Sequence, residues 1–232
     1  MSLEARIELL SEAAIGSGFG NVGIDQDVSL DHYGLPVIPG RRLKGLLREA
    51  TTELFEALSR SDGGITLVQK LMPLAELFGT AQRPGAVHIG TARFAGGRAW
   101  GDAVDLQEWI AYWRDLIGER VEHLFDAGLT AVRTQTAIDL ETGAARESSL
   151  RTTRVFVRGL RFRAPIEIAP GSPEKVQRTL ALGCAALQRM GTSRNRGFGH
   201  VRVHLWQLPA ADLTEVYLTE LEMNSRKGER GG

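Results

Sequence analysis

The chain reads as an α+β protein whose elements run β-α-β-β-α-β, and three observations lead there. Two long segments place apolar residues every three or four positions, shorter ones alternate apolar and polar, and the two kinds are interleaved along the chain. Glu4 to Leu10 alternates like a strand. Arg41 to Leu58 then carries Leu43, Leu47, Ala50, Leu54 and Leu58 along one helical stripe. Pro39 fixes a backbone angle and Gly40 relieves the turn, so this helix can begin at Arg41 with its unpaired amides exposed. Val87 to Phe94 and Val155 to Ile168 read as strands. Ser172 to Met190 reads as the second helix: Ser172 can cap it and Pro173 suits its first turn. Val176, Leu180, Cys184 (or Gly183), Leu187 and Met190 mark its buried side. Phe198 to Leu208 closes the series as a strand.

The pieces between these elements, 11–38, 95–130 and 131–154, are too long for ordinary connections and read as insertions that carry function. Within the last, Thr136 to Arg146 forms two short extended arms around a Glu-Thr-Gly turn, the pattern of a protruding hairpin. In the middle one, Leu106, Trp109, Ile110 and Trp113 keep helical spacing, which predicts a packed insertion.

With 232 residues, 43% of them hydrophobic, the chain can bury one good core, and 1–232 is read as a single domain without a linker. Lys plus Arg and Asp plus Glu both number 28, so the net charge is zero, unlike that of a free-standing nucleic-acid binder. The charge is nevertheless sorted: arginines gather at 41–48, 146–163 and 189–202, and acids at 102–126 and 212–222. Cys184 is the sole cysteine and falls on the apolar side of a helix, so no internal disulfide forms and no redox role is read. No apolar run reaches membrane-spanning length and the start lacks the apolar stretch of a signal peptide; a cytoplasmic location without membrane contact is expected. The five histidines show no close metal-ligand spacing, and no zinc site is read. Residues 223–232 are polar and glycine-rich and read as a disordered tail.

Two segments are built to hold anions. Arg41, Arg42, Lys44 and Arg48 crowd the start of the first helix behind Gly40, where cations oppose the helix dipole. A bound polyanion compensates that opposition, and simple solvation of the side chains also would. The second segment, Gly191 to Val203, holds Gly191, Gly197 and Gly199, whose backbone can approach a phosphate closely. Ser193 and Asn195 are polar, and Arg194 and Arg196 can grip a phosphate with planar forked donors. Phe198 can stack on a base there or pack beneath the loop. Asp25, Asp27 and Asp31 lie in a glycine-rich loop, where aspartates commonly cap turns.

The order of Gly23-Ile-Asp25, Ile38-Pro-Gly-Arg-Arg-Leu-Lys-Gly-Leu-Leu-Arg48, Leu77-Phe-Gly79, the region from Thr136-Ala-Ile-Asp139 to Gly159, and Arg194-Asn-Arg-Gly-Phe-Gly199 resembles the RAMP superfamily. The particular likeness is to the repeated backbone subunit of type III CRISPR effector complexes. It implies a ferredoxin-like (RRM-like) core with large insertions that binds a guide RNA and stacks on copies of itself and on other effector subunits. It also implies a hairpin thumb that wedges between bases of the guide–target duplex, for which Ile138 and Leu140 are the candidates. In members that cut single-stranded target RNA an aspartate follows the first strand, and Gly-Ile-Asp puts Asp25 on that position. Asp25 would then hold a divalent metal, Mg or Mn, or orient a ribose 2′-hydroxyl for attack on the adjacent phosphate. Two alternatives stay open: a structural subunit with an inert Asp25, and a guide-processing endoribonuclease using His32 and Tyr33.

Overall fold

The computed structural model describes every residue except 1, 17, 19, 21–22, 62–63, 97–127, 140, 142, 147, 172, 210 and 230–232. The tryptophan-bearing part of the 95–130 insertion, Leu140 and the Ser172 cap therefore lie outside the described residues.

β1 (Leu3–Leu9) forms because its apolar residues fall at every second position. Leu3, Ala5, Ile7 and Leu9 are 0–3% exposed under the helices, while Glu4, Arg6 and Glu8 point to the other face. After β2 (Val37–Ile38), α1 (Gly40–Ser59) starts on the Pro39 carbonyl, which accepts from Arg42 N (2.9 Å) and Leu43 N (3.0 Å). Leu43 and Leu47 are fully buried. Short helices α2 (Gly64–Gln69) and α3 (Leu74–Phe78) lead to β3 (Val87–Ile89) and β4 (Ala92–Phe94). β5 (Thr130–Gln135), β6 (Arg151–Phe156) and β7 (Arg161–Ile168) follow. Then come α4 (Pro173–Ala186), β8 (Val201–Gln207), β9 (Ala211–Asp212) and α5 (Leu213–Glu229).

Among the described residues the main sheet runs β2-β4-β7-β1-β8-β9, with β3 also on β7, and every pairing is antiparallel. Its centre, β8-β1-β7 flanked by β3 and β4, with α1 and α4 on one face, is the ferredoxin-like β-α-β-β-α-β core. α1 and α4 approach closely: a Cβ on Gly183 would sit 2.3 Å from Thr51 Oγ1, itself bonded to Leu47 O at 2.6 Å. Removing a side chain such as Leu47 from this contact costs about 2–5 kcal/mol.

Four elements differ from their sequence reading. Val155 to Ile168 is two strands, because the chain turns at Arg158-Gly159 and Gly159 N bonds Leu9 O (2.8 Å). β6 thereby leaves the main sheet and pairs with β5, from Thr130↔Phe156 to Gln135↔Arg151. Val87 to Phe94 breaks at Gly90, whose amide bonds Pro165 O (2.9 Å). The second helix ends at Ala186, since Gln188 and Met190 turn away to bond Val201 and Gly199. Residues 223–229, read as tail, continue α5, which packs Leu213 and Tyr217 into the core and has Arg178 stacked over the Tyr217 ring at 5.3 Å.

Candidate nucleic-acid interface

Residues 12–16 tie the site together. Ala13 exchanges backbone hydrogen bonds with Phe156 of β6 (2.9 and 3.1 Å), and the Ala14 carbonyl accepts from Thr192 N (3.0 Å). The Glu12 carbonyl accepts from Gly199 N (2.7 Å), and Gly16 pairs with Val28. The Glu12 carboxylate is gripped by the Arg133 guanidinium of β5, and those hydrogen bonds hold its pKa below the ordinary value. Three separate stretches, the β5–β6 ribbon, the loop after β1 and the arginine loop, are thus fixed to one short strand of chain.

The arginine loop folds as a single tight turn. Arg194–Arg196 makes one turn of 3-10 helix, with Ser193 (φ 58°) and Gly197 (φ 85°) left-handed on either side. The Arg194 carbonyl receives the Arg189 guanidinium. Arg196 Nη1 donates to Gln135 Oε1 on the ribbon (3.2 Å), and Arg194 lies against Glu49 of α1 (3.5 Å). Phe198 is half-buried and Gly199 buried beneath this turn.

The Asp25 loop lies along the edge of β6. Asp25 N donates to Thr152 O (2.9 Å), Thr152 N donates back to Asp25 Oδ2 (2.6 Å), and Arg154 N donates to Gln26 O (2.9 Å). Asp25 itself is exposed. The other two aspartates are turned inward to structural work: Asp27 Oδ1 accepts from Val28 N (2.8 Å) and pairs with Arg154 (3.1 Å). Asp31 Oδ1 accepts from Tyr33 N and Leu35 N (both 2.9 Å), closing a turn. The next side chains, His32 and Tyr33, have ring centroids 3.7 Å apart, and neither is among the groove's lining residues.

These parts enclose an open groove of about 1270 Å³. Asp25, Arg151, Arg189, Arg194 and Arg196 line it, facing Glu49 and Glu53 on α1. Gly191 and Ser193 also reach it. Arg151 and Arg189 were visible in the sequence only as members of arginine-rich stretches, and Glu49 and Glu53 carried no signal at all. A strip of four guanidinium groups beside an exposed carboxylate can bind consecutive phosphates and bring a base to one of them.

The start of α1 contributes less to this groove than its composition implied. Gly40 is buried, a Cβ there falling 2.3 Å from the Ile89 carbonyl. Arg42 donates to the Gly16 carbonyl, Lys44 Nζ to Val87 O (2.9 Å) and Arg48 Nη1 to Gly79 O (3.5 Å). Arg41 is exposed but does not line the groove. Asn195 sits within the turn. The hairpin beyond the ribbon closes through Asp139 N to Ala144 O and Arg146 N to Ala137 O (both 2.8 Å), and carries Ile138 with 65% of its surface exposed.

Magnesium and manganese take oxygen ligands, and magnesium sites use one or two carboxylates together with substrate phosphates. The exposed Asp25, steadied on one oxygen by Thr152, fits that demand as a single protein ligand. Among the described residues the one grouping of three ligand side chains is His204, Asp212 and Glu215. There Asp212 Oδ1 caps α5 through Thr214 N (3.0 Å), and Oδ2 bonds His204 (2.7 Å).

A ferredoxin-like core with an arginine-lined groove built from its insertions defines the chain as an elaborated α+β protein of that fold. The chain belongs to the RAMP superfamily, whose signature matches residues 6–202. Solved structures agree in fold. One is a chain of a type III-B Cmr-beta complex bound to cognate target RNA, with TM-score 0.56 and 15% identity over 89% of this chain and 61% of that one. Another is a chain of Cmr-beta in its apo state, with TM-score 0.59 and 11% identity over 90% of this chain and 98% of that one. The chain thus spans less than two thirds of the first of these. No curated protein matches it by sequence.

Proposed function

We propose that this chain is a guide-RNA-binding backbone subunit of a type III CRISPR ribonucleoprotein, and that it cleaves complementary single-stranded target RNA through Asp25. The observation that carries the reading is the exposed Asp25 carboxylate in one groove with Arg151, Arg189, Arg194 and Arg196. The arginines fix the ribose-phosphate track as forked donors. Asp25 orients a ribose 2′-hydroxyl and accepts its proton as that oxygen attacks the neighbouring phosphate; the bond from phosphorus to the 5′-oxygen breaks, that oxygen leaves with a proton from water, and a 2′,3′-cyclic phosphate remains. A Mg or Mn ion held by Asp25 would offset charge on that phosphate. The ribbon hairpin carries Ile138 outward, in position to wedge between bases. Copies of this chain and other effector subunits extend the track, so affinity accumulates over several grooves in a cytoplasmic particle. No helix among the described residues is long and apolar enough to cross a membrane.

A second reading, an inert structural Asp25, draws on its reciprocal bonding with Thr152. Asp25→Asn separates the two. Asparagine keeps an acceptor for Thr152 N but has no basic carboxylate, so the reconstituted complex should assemble on guide RNA normally while target cleavage falls by about 10²-fold or more. Wild-type cleavage rates in the Asp25→Asn complex would establish the structural role instead.

A further inference from the structure

Arg194 faces Glu49 fork to fork, Nη1 to Oε2 and Nη2 to Oε1, each at 3.5 Å. This is the same two-pronged geometry in which arginine receives a phosphodiester. The neighbouring cations are held differently: Arg196 by the neutral amide of Gln135 and Arg189 by the Arg194 carbonyl. Glu53, one turn further along α1, lines the same wall, so a strand entering the groove meets two carboxylates there. A surface selected only for tight RNA binding would leave these positions neutral or basic.

We propose that Glu49 is a specificity-determining residue that occupies Arg194 in place of a phosphate and sets a threshold for RNA binding. The proposal rests on the groove being the RNA site. A strand held by one chain alone must displace Glu49 from Arg194 at a loss. A strand already held by neighbouring grooves reaches Arg194 at high effective concentration and displaces it readily. Lone chains are thereby discouraged from coating unrelated RNA, and loading is favoured on assembled particles.

The test is a double-mutant cycle on the full-length chain, using a fluorescently labelled single-stranded oligoribonucleotide. Glu49→Gln should tighten binding about two- to fivefold, the range set by exposed ion pairs. The melting temperature should stay at the wild-type value, because both side chains are about half exposed, at 40% and 49%. In an Arg194→Gln background the gain should vanish, whereas the gain from Glu53→Gln should persist. No gain from Glu49→Gln, or a gain of equal size without Arg194, overturns the proposal while leaving the groove as the RNA site. Binding by the wild type that is insensitive to both salt and Arg196→Ala overturns the site itself, and the proposal with it.

Discussion

Two glycines of the arginine loop share a backbone conformation and differ in surroundings, which allows the loop's construction to be tested by one methyl group at a time. Gly197 has φ 85° and Gly199 has φ 75°, so alanine at either pays roughly 1–2 kcal/mol for left-handed backbone. A Cβ on Gly197 meets nothing within 4 Å, and the cost ends there. A Cβ on Gly199 would lie 2.0 Å from the Met190 carbonyl oxygen, where ordinary contact begins at 3.4 Å. The two strands must part by more than an ångström. That breaks the bond from Met190 N to Gly199 O (2.8 Å) and loosens the one from Gly199 N to Glu12 O (2.7 Å), at about 1 kcal/mol each. Gly199→Ala should therefore cost about 3–4 kcal/mol against about 1–2 for Gly197→Ala. For a chain of this length that is a fall in melting temperature of about 6–16 °C against about 2–8 °C. Thermal unfolding followed by circular dichroism reads both. Equal shifts, or a larger one at Gly197, would refute the claim that β8, residues 186–191 and residues 12–16 are locked at Gly199.

The remaining expectations concern charge. Arg196→Ala removes a groove cation and should make the salt dependence of RNA binding shallower by about 0.7 in log–log slope, the contribution of one contact to a single strand. Lys44→Ala should leave that slope alone and destabilise the fold by about 1–3 kcal/mol, because it leaves Val87 O without its donor. The reverse pattern would move the phosphate track to the start of α1. Glu12→Gln tests the tie to Arg133. The bonded Glu12 titrates below the ordinary carboxylate value, so its stabilisation is complete above the unfolded value of about 4.3 and is lost as pH falls through the lower folded value. The gap in melting temperature between wild type and Glu12→Gln should accordingly be open at neutral pH and close in acid. A gap that is flat with pH shows that the pair does not contribute.

The elements with strong periodicity were legible to within a few residues. β1 and α1 show why: Ala5, Ile7 and Leu9 repeat every second position, and Leu43, Leu47 and Ala50 every third or fourth, and both sets face one core. Val155 to Ile168 misled because apolar residues continue across Arg158-Gly159. Whether such a run is one strand or two depends on what each half pairs with, β5 for one and β1 for the other. α5 was missed because few of its described residues are buried, Leu213, Thr214 and Tyr217 among them, and the α4 surface that covers it is specified by no local pattern. In the site, the Arg194–Gly199 turn and Asp25 carried local signals and both reached the groove. The cations at 41–48 also carried one, and the helix they open does begin there, at Gly40. Their carbonyl partners, Gly16, Val87 and Gly79, come from segments whose path no local pattern specifies.

The same dependence on distant partners accounts for an arginine-lined groove in a chain of zero net charge. Many arginines outside the groove are consumed internally: Arg133 by Glu12, Arg154 by Asp27, Arg161 by Glu8 and Arg178 by Glu220. In the groove, Arg189 is held by a carbonyl, Arg196 by a neutral amide and Arg194 by one exposed carboxylate, contacts that release a guanidinium to phosphate more readily than the pairs of Arg154, Arg161 and Arg178, whose side chains are only 17–20% exposed. Net charge counts both populations alike, whereas binding draws only on the second. What sorts them is the position of residues 12–16, which fix the ribbon through Phe156, the arginine loop through Thr192 and the aspartate loop through Val28. Affinity for a polyanion is thus set by which cations the fold leaves exchangeable, and a change that loosens residues 12–16 should weaken RNA binding without altering any residue that touches RNA.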